Sequence, residues 1–267
     1  MMSTRTMSVA GSFYPASAAE INDMIFHFNS VIEAHSDIIK SFSTLYGNAI
    51  IVPHAGWVYS GFTANVAYRI LNNSEPKTVV VIGPSHRVGF DGVSICDLTH
   101  YQTPLGDLTI DPQLTKELRE RFALPYFSEA HHEHSTEVQM PFIKHYLPDV
   151  QVVELVYAYA EPFMLEPVIE YCLARQNTAV VISTDLSHYY NLSQAQQLDS
   201  ICLEAIREED SDKLHQGCEA CGMIGVEAML NIAKKRDLKN IILDYRTSAD
   251  ASQDTSRVVG YASVLFY

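Results

Sequence analysis

The chain has 267 residues, 47% of them hydrophobic, and a formal net charge of -14. That apolar content excludes a disordered chain, and the length is within reach of one α/β domain spanning residues 1–267. The acidic balance excludes nonspecific binding to nucleic acid or to an anionic membrane, both of which require a basic face.

The opening stretch, MMSTRTMSVAGSFYP, has no continuous apolar segment of the signal-peptide kind. The spacing predicts a helix over SAAEINDMIFHFNSVI, opened by a Ser17/Glu20 capping box, with Ile21, Met24, Ile25, Phe28, Val31 and Ile32 at helical intervals. NAIIVPH reads as a buried strand, TANVAYRIL as a helix and KTVVVIG as the next strand. Residues 91–110 read as irregular apart from a short strand around GVSIC. Asp111 as N-cap and Pro112 at the first helical position open a helix with Leu114 and Leu118 on its apolar face. STEVQMPFIKHYL is predicted as one helix with a Thr136/Gln139 box, and Pro141 is tolerable there only near its first turn. QVVELVYA and TAVVIST are strands around a helix beginning near Pro162. Residues 193–208 and 224–235 are predicted helical, and KNIILDYRTS and RVVGYASVLFY close the chain as strands. Strands alternating with helices predict an α/β layered fold with a central, largely parallel or mixed sheet flanked by helices. No run approaches the roughly 18 apolar residues of a membrane span.

Three of the apolar strands run directly into reactive side chains. His54 follows NAIIVP, His86 follows TVVVIGPS, and Asp185 and His188 follow TAVVIST. Ligands of open α/β sheets sit beyond the carboxyl ends of the strands. If these strands are parallel neighbours, three imidazoles and a carboxylate meet in one crevice, an arrangement suited to a metal or an acid–base site. HHEHSTE lacks the spacing of a two-histidine helical zinc motif. His131 and His132 read as a surface loop, whereas Glu133 and His134 can line the crevice. Tyr59 can aim a phenol at it, and GSFYP places Gly11, Ser12 and Tyr14 before the first helix.

Five cysteines, Cys96, Cys172, Cys202, Cys218 and Cys221, form an odd set without a visible disulfide framework, which points to a reducing cytoplasm. Burial as inert thiols is the expectation for Cys96, Cys172 and Cys202. Cys221, just ahead of a helix, is predicted to feel the positive end of the dipole and to favour thiolate.

Taken in order, AGSFYP, PHAGWVYSG, GPSHR, TPLGDLTID, EHSTEVQMPF, STDLSH and CGMIGVEAML resemble the Memo family, in particular its prokaryotic branch, AmmeMemoRadiSam system protein B. The family is similar in fold to the class III extradiol (LigB-like) dioxygenases, nonhaem iron enzymes with two histidines and a carboxylate as ligands. The resemblance implies that His54, His86 and Cys221 are metal ligands, with Asp185 and the acid–base residue His188 beside them, and Tyr59, Glu133 and His134 lining the pocket. Trp57 stands where the family usually has tyrosine, which implies a modest change in pocket lining. A thiolate replacing the dioxygenase carboxylate softens the donor set, so ring-cleavage chemistry does not transfer automatically. Fe(II) is the favoured ion, with copper and zinc as alternatives. The leading expectation is a metal-binding redox protein. A peptide-recognition module using the same pocket, or a zinc-dependent hydrolase, are the rivals. AMMECR1-type and radical-SAM proteins are the implied partners, in a shared modification pathway, and Arg87 is the only nearby cation for a phosphate.

Overall fold

The structure, a computed structural model, describes residues 3–34, 42 and 44–267. Its strands are β1 (Thr4–Arg5), β2 (Ala49–Val52), β3 (Thr78–Pro84), β4 (Gly92–Ile95), β5 (His100–Tyr101), β6 (Leu108–Ile110), β7 (Gln151–Ala158), β8 (Thr178–Ser183), β9 (His188–Tyr190), β10 (Asn240–Thr247) and β11 (Val258–Phe266). The longer helices are α1 (Ala18–Glu33), α2 (Trp57–Leu71), α3 (Pro112–Phe122), α5 (Met140–Tyr146), α6 (Pro162–Leu173), α7 (Leu192–Glu208) and α9 (Met223–Arg236). Single turns make α4 (His134–Glu137), α8 (Ser211–Leu214) and α10 (Ala249–Ser252).

The strands build one mixed sheet in the order β1-β5-β6-β7-β3-β8-β2-β11-β10, with β4 on β7 and β9 on β11. Its centre, β7-β3-β8-β2, is parallel. Their sequences are dominated by apolar runs, as expected where both faces are covered, with Glu154 interrupting that of β7. Alternate side chains enter two cores. Val80, Ile82, Val180 and Ile182 pack with α3, α6, α7 and α9, while Val79, Val81, Ala179 and Val181 pack with α1, α2 and α5.

Most predicted helix starts are present. The Glu20 N–H donates to Ser17 Oγ, and the Ser17 hydroxyl donates to the Glu20 carboxylate at 2.7 Å. Asp111 accepts from the N–H groups of Gln113 and Leu114. The single helix predicted over STEVQMPFIKHYL is instead two, α4 and α5. Pro141 lies in the first turn of α5, where its missing N–H costs nothing. The Thr136/Gln139 box does not form. Glu133 caps α4, Thr136 Oγ1 donates to Glu154, and the Gln139 amide donates to Pro53 O and Ser183 Oγ. The segment expected to be irregular holds β5 and β6, too short to carry a periodic signal.

Candidate metal centre

β8 lies between β2 and β3, so the three strand ends that carry Asp185, His54 and His86 are adjacent at one edge of the sheet. The α8–α9 connection delivers Cys221 to the same place. The ligand atoms of His54, His86 and Cys221 all lie within 4.8 Å of one another. Cys221 Sγ is 3.2 Å from His54 Nε2, and the His54 and His86 rings are 5.1 Å apart between centroids.

The surrounding hydrogen bonds settle which imidazole nitrogen of His54 is available. Ser183 Oγ gives its proton to Ser135 O, so it must accept from the Gln139 amide and from His54 Nδ1, 3.0 Å away. His54 therefore carries its proton on Nδ1 and turns the Nε2 lone pair toward Cys221. Burial, reinforced by the neighbouring His86 and His134, drives the His54 pKa well below its usual value, so the ring is neutral at pH 7. A neutral imidazole with its second nitrogen fixed by a hydrogen bond is the form in which histidine binds a metal.

Glu133 does the equivalent for the other two imidazoles. It is completely buried, takes the His86 N–H at 2.7 Å, and has Oε1 3.3 Å from His86 Nδ1 and 2.7 Å from His134 Nδ1. It also accepts from the N–H groups of His134 and Ser135 as the cap of α4. Burial alone would raise its pKa, but the bonds from His134 and His86 outweigh that and hold it far below the usual carboxylate range. Glu133 thus orients both imidazoles, and its carboxylate shares a 4.8 Å sphere with ligand nitrogens of His86 and His134. His134 faces His54 and His86, with ring centroids 5.4 and 4.6 Å away. Phe13 of GSFYP, an aromatic residue with no sequence signal for the site, packs its ring 4.6 Å from that of His134.

Asp185 accepts from the main-chain N–H groups of His54 and Ala55, at 2.7 and 3.3 Å. It thereby holds the backbone that carries His54. His188 is half-buried on β9, outside the three-residue donor set but close enough to lower the His54 pKa. Tyr59 is exposed on the first turn of α2 and does not line the cavity described below. Trp57 is no pocket residue either. It is buried, stacks on Phe142 at 3.8 Å between centroids, and donates its indole N–H to Val138 O.

The expectation of a dipole-favoured thiolate runs against the surroundings of Cys221. Cys221 is half-buried, and burial of its sulfur first and the Asp185 charge second push its thiol up to about 12. A cation at the site would displace that proton. A cavity of about 420 Å³ opens beside the donors, lined by His86, Arg87, Val88, Gly89, Tyr157, Tyr159, Cys221 and Ile224 among others.

Another group of potential ligand side chains lies deeper. Cys96, His131 and Glu154 also bring their ligand atoms within 4.8 Å, and all three are buried. His131, expected on a surface loop, is 2% exposed, with Nε2 2.9 Å from Ser94 Oγ and Nδ1 2.8 Å from Glu154 Oε2. Glu154 Oε1 accepts from Tyr101 and Thr136. The signal for this network was a lone glutamate inside the apolar run QVVELVYA, since a charge buried in a strand requires a partner.

The cysteines depart from the expected pattern once more: Cys202 and Cys218 form a disulfide, leaving Cys96, Cys172 and Cys221 free. Their separation of 16 residues carries no sequence signal, and packing of the α8–α9 loop on α7 brings their Cα atoms to 4.9 Å. Among the described residues no helix is long and apolar enough to cross a membrane.

The Memo-like protein family model matches residues 5–265. A MEMO1 family protein of Desulfurococcus amylolyticus is 33% identical, with 100% of both chains covered. One from Nitrosopumilus maritimus is 32% identical over 97% of this chain and 98% of its own. One from Aquifex aeolicus is 29% identical over 99% of this chain and 100% of its own. Matched by the family model over nearly its whole length, and by full-length relatives about one-third identical, the chain belongs to the Memo family.

Proposed function

We propose that the protein is a metal-dependent redox protein of the cytoplasm, holding nonhaem Fe(II) through His54, His86 and Cys221. The observation that carries this reading is the meeting of two donors whose mutual S–H···N hydrogen bond a cation can replace. His54 turns a lone pair toward a thiol 3.2 Å away, with a ligand nitrogen of His86 inside the same 4.8 Å sphere and a cavity alongside. Two imidazoles and one sulfur suit iron, copper or zinc better than magnesium or calcium, which take oxygen donors. When bound, an iron ion with open positions would supply one-electron and O₂ chemistry.

The chain's own residues divide the remaining work. Ser183 and Glu133 fix the imidazoles, and Asp185 fixes the backbone that carries His54. His188, half-buried beside the donors, accepts and returns a substrate proton. Arg87 is the one arginine or lysine among the residues lining the cavity, too little positive charge to favour the phosphopeptide-binding reading. The partners in this reading are AMMECR1-type and radical-SAM proteins of one modification pathway.

Purification without oxygen, elemental analysis, and O₂ uptake by the Fe(II)-loaded protein with a panel of catechols test the proposal. The expected result is about one iron per chain and substrate-dependent uptake. Zinc retained from iron-replete cells, with no uptake, would replace it with the hydrolytic reading, in which a bound water is activated.

A further inference from the structure

The strand-borne ligands and the thiol ligand are held in different ways. His54 and His86 leave the ends of fully buried strands, whereas Cys221 arrives on the connection between α8 and α9. Two backbone bonds seat that connection: the Cys221 N–H donates to Asp185 O at 3.2 Å, and the Gly222 N–H to Thr184 Oγ1 at 2.8 Å. Three residues earlier, Cys218 is joined to Cys202 of α7.

The inner face of α7 serves both loops of the site. Asp199 and Cys202, one turn apart and both buried, point the same way. Asp199 Oδ1 accepts the Ser187 N–H at 2.9 Å, steadying the loop between Asp185 and His188. Asp199 also lies so close to Gly260 that an added Cβ there would be 2.0 Å from Oδ2, so α7 is seated directly on β11. Cys202 reaches the second loop covalently. The same helix therefore positions the backbone support of His54 and the segment that delivers the third ligand.

We propose that the Cys202–Cys218 disulfide is a redox-sensitive strap: closed, it seats Cys221 in the metal centre; opened, it releases the loop and weakens metal binding. The inference rests on the metal-site reading above and adds its regulation. Closing the strap forms one S–S bond and removes one proton and one electron from each thiol. A small-molecule disulfide such as glutathione disulfide accepts the two electrons and two protons and leaves as two thiols. A dithiol reverses the reaction and becomes a disulfide itself. Cys221 takes no part in the exchange. Apparent affinity falls in proportion to the fraction of molecules in which Cys221 is seated, so a loop seated one time in ten binds about tenfold more weakly.

The test compares three forms of the full chain: oxidised wild type, wild type reduced with a dithiol and freed of it without oxygen, and Cys202→Ala/Cys218→Ala. Each is titrated with Co(II) alone, following the thiolate-to-cobalt absorption band, and each is examined by hydrogen exchange at the Cys221 and Gly222 amides. The expected result is Co(II) affinity lower by about tenfold or more in the reduced and double-alanine forms. Exchange at the two amides should be faster in both, and glutathione disulfide should restore the reduced wild type. Equal exchange at those amides in all three forms would overturn the strap. So would five reactive thiols in protein equilibrated with glutathione disulfide and denatured under alkylation. Absence of the thiolate band in the oxidised wild type would defeat the metal-site reading instead, and amide exchange would still decide the strap.

Discussion

Two clusters in this protein have nearly the same composition and opposite character. His54, His86 and Cys221 meet at the carboxyl edge of the sheet; Cys96, His131 and Glu154 meet inside it, and each trio fits within 4.8 Å. In the inner trio both His131 nitrogens are engaged, by the Ser94 hydroxyl and the Glu154 carboxylate. In the outer trio Nδ1 of His54 is engaged and Nε2 faces a protonated thiol beside a cavity. Ligand types at ligand distances are thus insufficient. Donors that bond one another through a displaceable thiol proton, a neutral ring and a neighbouring cavity separate a binding site from a satisfied polar core.

The largest effect should come from the donors themselves. His54→Ala, His86→Ala or Cys221→Ala is expected to abolish bound metal by elemental analysis, whereas His188→Ala and Cys96→Ala keep it. Metal retained in all three donor variants, or lost in Cys96→Ala, would reverse the assignment of the two clusters.

Next in size is the inner cluster, where the expected loss is of stability. Glu154→Ala leaves His131, Tyr101 and Thr136 without their acceptor in a fully buried site, and removing one partner of such a network costs about 3–5 kcal/mol. Denaturant unfolding measures it, and metal content of the folded fraction should not change. A loss under 1 kcal/mol would mean that the network is replaceable.

A third variant sharpens the contrast from the outer side. Glu133→Gln keeps the shape but removes the charge that orients His86 and His134, and metal affinity should fall about 10- to 100-fold by competition with a chromophoric chelator. Its capping of α4 makes some loss of stability expected too, so affinity is to be measured on folded protein.

The mildest test is acid. Glu154 and Glu137 are buried, which would raise them. Glu154 is held down by His131, then Arg5 and Thr136; Glu137 by Arg5, then Ser8 and Val9. Both pKa values end below the ordinary one. A depressed carboxyl stabilises the fold above its unfolded value, near 4.3, and that contribution disappears as pH falls through the folded value. Stability should therefore be steady in respect of these groups above about pH 5 and decline below it, with a smaller decline in Glu154→Ala once that variant is referenced to its own value at pH 7. Thermal melts across pH 3–7 read this directly.

The pattern of apolar runs was sufficient to place the strands that matter, because a strand buried on both faces must be apolar at every position. The same runs showed that His54, His86 and Asp185 begin where the strands stop. Caps such as Ser17 and Asp111 were equally legible, since each satisfies donors within three residues of itself. Whatever depends on distant pieces of chain was not. β8 had to fall between β2 and β3 before three strand ends became one site, and the Gln139 amide had to reach Ser183 before the His54 tautomer was determined. His131 looked like a loop residue because only the fold brings Glu154 to it. Cys202 looked inert because its partner arrives from another element. Local composition governs solvent exposure and backbone preference along a segment. The donor that remains free is governed by competition among neighbours hundreds of bonds away, and only the folded chain decides it.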